Sequence, residues 1–456
     1  MKRKKILLLA DDMRMQSGIA RMSREMVLGT VDKYDWVQIG GAIKHPEAGK
    51  RIKIESDADF EIPKDASIVI YPTDGYGNPN LLREIRRIEK PDAILHFTDP
   101  RFWIWLYNME SEIRSEIPLM YLNIWDDLPD PQYNTNFYRS CDSLMSISKQ
   151  TYGINKRILS KYGYEDWQLD YVPHGMSEER LFKIEGSDLE YKKFVNSLGL
   201  DDYKFKILFL NRNIRRKSPG DFVLAYKHFM DGLTEEQRKE CCLVFHTSPS
   251  DDNGTDIRAI CNTLIPDYNV IFTHDTHGPL DDRQMNYLYN SVDVYMNLAS
   301  NEGFGLGSAE ALMTETPIIV NVTGGLQDQC GFKKEDGTYL TADDYVELGS
   351  NHRGKYKEHG EWVKPVFPSN ISLQGSPMTP YIFDDRCQYE DAGEAIKYWY
   401  NKSPEERQEA GKKGREYLLD ENIGMSAKHM SDRYLKHFDS VFKNFEKQKS
   451  YKLEAV

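Results

Sequence analysis

Long apolar runs are missing from this 456-residue sequence. The run nearest the start, ILLLA (6–10), follows KRKK and stops after five residues at DDMRMQ. A membrane span needs roughly 18 apolar residues and a cleaved leader about 7–15, so this run is read as a buried first strand. Cysteine is scarce. The six residues Cys141, Cys241, Cys242, Cys261, Cys330 and Cys387 are scattered, with no C-x-x-C pair and no His/Cys cluster. This excludes a disulfide-framed scaffold and a zinc module, and reduced, mostly buried thiols in a cytoplasmic protein are expected. No G-x-G-x-x-G turn follows the first strand, which sets aside a nicotinamide dinucleotide site.

Positive charge is also in deficit. The formal net charge is −13, which argues against a protein that coats nucleic acid. The deficit is uneven: residues 1–198 hold 28 Lys+Arg against 31 Asp+Glu, so most of the acidity lies in the second half. Polyanion binding by the first half therefore stays open.

The length exceeds one ordinary core and predicts two domains. In the first half, short apolar runs (KILLLA, WVQIGGA, SIVIYP, AILHFT, PLMYLNIW, SLMSIS, DYVPHG) alternate with amphipathic pieces such as SGIARMSREMVLG. The second half restarts the rhythm with FKILFLNR, CCLVFHT, NVIFTHD, DVYMNLAS and TPIIVNV. Strand–helix alternation predicts parallel sheets covered on both faces. The domains are expected at 1–198 and 199–424, with residues 425–456 a closing helix that returns to the first domain. Residues 349–387 break the rhythm with four prolines and proline-flanking aromatics. They are read as an ordered excursion over a cleft, with a structural flap or an oligomer contact as the alternative.

The most informative stretch is LASNEGFGLGSAEALMTETPIIV, residues 298–320. It reads as strand end, glycine turn, helix and next strand, which puts a binding loop at the carboxyl end of a strand. Glycine turns that open helices ordinarily receive anions. Here Glu302 stands at the mouth and Glu310 near the helix's first turn. Carboxylates repel phosphate but accept hydrogen bonds from hydroxyls. The pattern suits a polyhydroxylated ligand on the carboxylates, with a diphosphate between them on N–H groups.

The run E-G-F-G-L…E-A-L…T-P-I-I-V…G-G resembles the donor-site signature of retaining glycosyltransferase family 4, which has the GT-B fold. Further resemblances lie in YVPHGMSEERLF (171–182), FLNRNIRRKSP (209–219), TGGLQD (323–328) and SGIAR (17–21). The likeness runs in order along the whole chain apart from 349–387. It implies two Rossmann-like domains facing a cleft, and transfer of a sugar from a nucleotide-diphosphate sugar to a hydroxyl with retention of configuration. In that reading Glu302 supports the sugar at its anomeric carbon, and Arg212 and Lys217 neutralise the departing diphosphate in place of a metal. Glu310 holds the ribose. Gly303, Phe304, Gly305 and Leu306 form the donor turn, and Gly18 faces the diphosphate from the first domain. No metal or other cofactor is expected.

The likeness breaks at YLNIWDDLPD (121–130), where family members carry His-Asp and this chain has Trp125 and Asp126. His96 and Asp99 of HFTDPR are the candidates to compensate, although a histidine there is more often a satisfied core residue. His174 is expected to be structural. For the acceptor, a phage-like style of sequence points to a hydroxymethylated pyrimidine in DNA. Such a substrate would be met by Lys2–Lys5 and by Arg83, Arg86, Arg87 and Lys90, with the base flipped out. A cell-surface glycan, lipid or small-molecule acceptor is the alternative, and a non-catalytic sugar-nucleotide module a second one.

Overall fold

The computed structural model describes residues 3–42, 44–56 and 62–449. The first sheet is built from β1 (Lys4–Asp11), β2 (Tyr34–Ala42), β3 (Ile52–Lys53), β4 (Ile68–Asp74), β5 (Ala93–Phe97), β6 (Leu119–Asn123), β7 (Ser143–Ser146) and β8 (Leu169–Tyr171). Their order is β3-β4-β2-β1-β5-β6-β7-β8. Among the described residues every pairing is parallel except the short β3–β4 edge. The five core residues of ILLLA are fully buried, and β6 and β7 are buried throughout. That is the signature of strands covered on both faces.

The second sheet holds β9 (Phe205–Leu210), β10 (Cys241–His246), β11 (Val270–Phe272), β12 (Val294–Asn297), β13 (Ile318–Asn321) and β14 (Val363–Val366). The order is β11-β10-β9-β12-β13-β14, all parallel. Five of the six cysteines are buried and Cys387 is half-buried, all as free thiols, which agrees with the sequence reading.

The helices include α1 (Gly18–Leu28), α2 (Pro79–Glu89), α3 (Leu189–Ser197), α4 (Asp282–Asn290) and α5 (Leu306–Met313). Helix α1 starts at Ser17, whose hydroxyl accepts from the Ala20 N–H at 3.0 Å, and it buries Ala20, Met26 and Val27. Asn78 caps α2 in the same way, with Pro79 at the first helical position. Helix α3 lies against α4: Tyr191 donates to the Asn290 carbonyl at 2.9 Å, and the Phe194 and Tyr287 rings are 5.6 Å apart. The long last helix, α6 (Ala427–Asn444), runs back to the first sheet. There Asp439 accepts from the Tyr34 hydroxyl at 2.6 Å, and Phe438 packs edge-on against Tyr34.

The 349–387 segment is more regular than its prolines suggest. Its strand β14 extends the second sheet beside β13, with Ile318 opposite Val363. Pro365 is tolerated because β14 is the edge strand and its outer side needs no donor. The antiparallel hairpin β15 (Asn370–Ser376) and β16 (Thr379–Arg386) follows. Strand β16 fastens to both domains. On one side the Phe383 N–H donates to the Leu128 carbonyl at 2.6 Å, and Tyr133 donates to the Tyr381 carbonyl at 2.9 Å. On the other, Asn321 donates to the Asp385 carbonyl at 2.6 Å, and Arg215 pairs with Asp384 at 2.8 Å.

Candidate active site

The carboxyl ends of the two sheets face each other across a cleft of about 1320 Å³. Its second-domain wall begins where β12 ends. Glu302 is buried there and makes a close ion pair with Lys217, itself buried, with the Arg216 guanidinium 3.9 Å away. Burial pushes the Glu302 carboxyl up, but Lys217 and Arg216 more than reverse this and hold it below the ordinary carboxyl range. Burial pulls Lys217 down, against the opposing pull of Glu302. The turn 302–305 is locked by its neighbour: the Gly325 N–H donates to the Glu302 carbonyl at 2.8 Å. A Cβ on Gly324 would collide with that same carbonyl oxygen, so the Gly-Gly pair permits backbone-to-backbone packing. Gly305 has φ +89 and opens α5.

Of the other residues of this turn, Gly303 lies against the Ile124 carbonyl of the first domain, and a Cβ there would come to 3.2 Å. Phe304 is buried with its ring 5.1 Å from His174. Leu306 reaches across the cleft to Gly18, where a Cβ would lie 3.3 Å from its methyl. The glycine loop of α1 and the glycine turn that opens α5 thus meet over one gap. Glu310 is buried on α5, where it accepts from the Tyr289 hydroxyl at 2.6 Å and is paired with Arg21 of α1.

Two expected residues are placed differently. Arg212 borders the cleft, but its side chain is 65% exposed and pairs with Asp251 at 3.0 Å. The inner position belongs to Arg216, which donates to the Asn301 carbonyl at 2.7 Å and flanks Glu302. The reason is local. Residues 215–217 form one 3-10 turn whose three cations diverge, with Arg215 toward Asp384 and Arg216 and Lys217 toward the cleft. His96 is the second correction. It is fully buried in the first sheet, does not line the cleft, and shares a 2.7 Å hydrogen bond with the Tyr107 hydroxyl. Its ring packs among Trp103, Tyr107 and Tyr121, 5.5, 5.6 and 5.2 Å away between centroids, which takes the space a ligand would need.

Asp99 lies at the cleft but is engaged locally. It caps the turn 100–103 and holds Arg101, whose N–H and Nε donate to it at 2.9 and 2.8 Å. Trp125 is buried with its indole N–H donating to the Asp127 carbonyl at 2.7 Å, and the Arg101 guanidinium sits 5.1 Å above its ring. Asp126 lines the cleft opposite Arg216. Asp127, which the sequence reading passed over, is buried and accepts from the Asn301 amide. Burial and the adjacent Asp126 push its carboxyl well above the ordinary range. The doublet DD at 126–127 was the available signal for this acidic pair.

His174 sits between Phe97 and Phe304, with ring separations of 5.8 and 5.1 Å. Burial pulls His96 and His174 down to about 3. Both are therefore neutral in the folded protein but protonated below about pH 6.5 in the unfolded chain. Stability should be complete above pH 6.5 and fall as pH drops toward 3, by up to about 1.4 kcal/mol per pH unit for each histidine. Melting temperatures at pH 7, 6, 5 and 4 check this; a flat profile across that window contradicts the placement.

The basic surface expected on α2 is neutralised by neighbours. Arg83 pairs with Glu112 at 2.8 Å, Arg86 with Glu116 at 2.8 Å and Arg87 with Glu84 at 2.6 Å. Arg3 pairs with Asp65 at 2.7 Å, Lys5 with Glu89 at 3.0 Å, and Lys4 lies 3.8 Å over the Phe442 ring. Lys2 lies outside the described residues. Among the described residues no helix is long and apolar enough to cross a membrane.

No family model matches the chain. It is 22% identical over 187 residues to an alpha-monoglucosyldiacylglycerol synthase of Acholeplasma laidlawii, covering 41% of this chain and 43% of the relative. It is 27% identical over 206 residues to a D-inositol 3-phosphate glycosyltransferase of Xylanimonas cellulosilytica, covering 44% and 46%. The matched stretch thus spans less than half of either relative. In three dimensions the chain is similar to sucrose-phosphate synthase from Thermosynechococcus elongatus, with TM-score 0.65, 14% identity, and 97% and 100% of the two chains covered. It is also similar to Anabaena HepE solved with UDP and glucose, with TM-score 0.62, 12% identity, and 96% and 100% covered. The fold is therefore GT-B: an α/β architecture of two Rossmann-like, parallel-sheet domains.

Proposed function

We propose that this protein is a retaining glycosyltransferase that moves a sugar from a nucleotide-diphosphate sugar to a hydroxyl acceptor without a metal ion. The observation that carries the reading is the Lys217–Glu302 pair, flanked by Arg216, at the mouth of a glycine turn facing the cleft. Glu302 supports the sugar as positive charge grows at its anomeric carbon. Arg216 and Lys217 receive the departing diphosphate, with Arg212 at the rim, and two fixed cations supply what a metal otherwise would. The acceptor hydroxyl enters on the face the diphosphate leaves, and a phosphate oxygen takes its proton. The UDP and glucose bound by Anabaena HepE support a uridine donor.

The acceptor is proposed to be a hydroxyl compound that enters the cleft along the wall formed by Arg14, Met15, Pro100 and Arg101. A hydroxymethylated base in DNA requires phosphate contacts by cations of residues 1–198. The ion pairs of Arg83, Arg86 and Arg87 set a higher threshold for those contacts, because each must be broken or shared. DNA retention that weakens with salt at a slope of roughly one per contacted phosphate supports the DNA acceptor. No retention at low salt, together with turnover on a small hydroxyl compound, removes it.

The test of the central reading is release of UDP from UDP-glucose with and without a panel of acceptors. Absence of both hydrolysis and nucleotide binding contradicts it, and binding without release indicates a non-catalytic module. Activity should be unchanged after exhaustive treatment with a chelator. Loss that a divalent ion restores would assign the diphosphate to a metal rather than to Arg216 and Lys217.

A further inference from the structure

Glu310 is held from the opposite wall of the cleft. One of its carboxylate oxygens accepts from the Tyr289 hydroxyl at 2.6 Å, and the other is paired with Arg21 of α1, on the first domain. The side chain of Glu310 is 4% exposed and that of Arg21 26%, so the pair is largely withdrawn from solvent. Gly18 lies three residues before Arg21, on the same face of α1, and it abuts Leu306 at the start of α5. Arg21, Gly18, Lys217 and Glu310 all line the cleft.

We propose that Arg21 is a donor-binding residue that exchanges partners as the donor enters. Without ligand it occupies Glu310; with ligand, the ribose hydroxyls take that carboxylate and the guanidinium turns to the diphosphate. The proposal rests on the reading of Glu310 as the ribose-binding residue. Separating a shielded ion pair is costly unless both charges find replacements. A nucleoside offers hydroxyls to Glu310 and leaves Arg21 without a counter-charge. A nucleoside diphosphate satisfies both ends at once, through hydroxyls on one side and charge-assisted hydrogen bonds on the other. The pair therefore discriminates a nucleotide from a nucleoside. Helix α1 does not need Arg21 to stay in place, because Arg180 bridges Glu25 at 2.6 Å and Asp282 at 3.0 Å.

Calorimetric titration of the full chain with uridine and with UDP tests this. Arg21→Ala should bind uridine about threefold to tenfold tighter, because the competitor for Glu310 is gone, and UDP about tenfold weaker. Arg21→Gln, which keeps most of the side chain, should shift both affinities in the same directions, and guards against loss of fold in the alanine variant. A structural role alone would move the two ligands together, so parallel changes or no change overturn the proposal. Glu310→Ala separates the two levels of the argument. If wild-type protein binds UDP but Glu310→Ala leaves uridine affinity unchanged, the ribose assignment fails and the proposal with it. If Glu310→Ala weakens uridine while the Arg21 variants move both ligands alike, only the exchange fails.

Discussion

Glu302→Gln lowers turnover by about 10²–10³-fold while leaving the affinity for UDP within about threefold. In the proposed reading the residue serves the sugar at its anomeric carbon, not the phosphates. A glutamine keeps the shape and most of the hydrogen bonding but removes the negative charge that stabilises the growing positive charge on the sugar. The same substitution leaves Lys217 without its partner, which strengthens the cations' hold on an incoming diphosphate and so works against any loss of UDP affinity. Steady-state rates with UDP-glucose, beside a UDP titration, separate the two quantities. Equal losses in both would mean that Glu302 contacts the nucleotide.

Lys217→Met has the largest expected effect on stability. Glu302 and Lys217 are both buried, and removing one member of such a pair costs up to about 3–5 kcal/mol, a cost that Arg216, 3.9 Å from Glu302, offsets in part. The pH dependence should change sign as well. In the native protein the Glu302 carboxyl lies below its ordinary value. Its contribution is present above the unfolded value of about 4.3 and is lost as pH falls through the lower folded value. Without Lys217 only the Arg216 guanidinium, 3.9 Å away, is left to offset the burial penalty on the carboxylate, and where that penalty wins the Glu302 contribution becomes less favourable as pH rises above that range. The double variant Lys217→Met/Glu302→Gln should recover most of the stability and none of the activity. Thermal melts from pH 4 to 8 check this, and a single variant as stable as the double one would show that the pair is solvent-screened.

The strand rhythm was legible because buried parallel strands need unbroken apolar runs, and ILLLA, LMYLN and CCLVF are such runs. Strand β14 was not legible because VKPV carries a lysine and a proline, both permitted only by its edge position. The glycine turn was as readable as the strands, since a carboxylate beside close-packed backbone restricts what can bind there. What the pattern NRNIRRKSP did not reveal is which arginine turns inward. Arg212 and Arg216 stand on the same loop, and the choice was made by Asp251 and by the 3-10 turn at 215–217.

By itself the sequence determined the two-sheet architecture, the position of the glycine turn and the carboxylates Glu302 and Glu310 upon it. These depend on local periodicity and on residues adjacent in the chain. Tertiary structure alone decided that His96 is a core residue, that Arg216 lies beside Glu302, and that the α2 arginines are engaged by glutamates of their own helix and of a neighbouring segment. It also decided that Arg21 occupies Glu310, 289 positions away. Each of those outcomes turns on which charged or polar partner lies within hydrogen-bonding reach. That reach is a few ångströms in space, and spacing along the chain does not encode it.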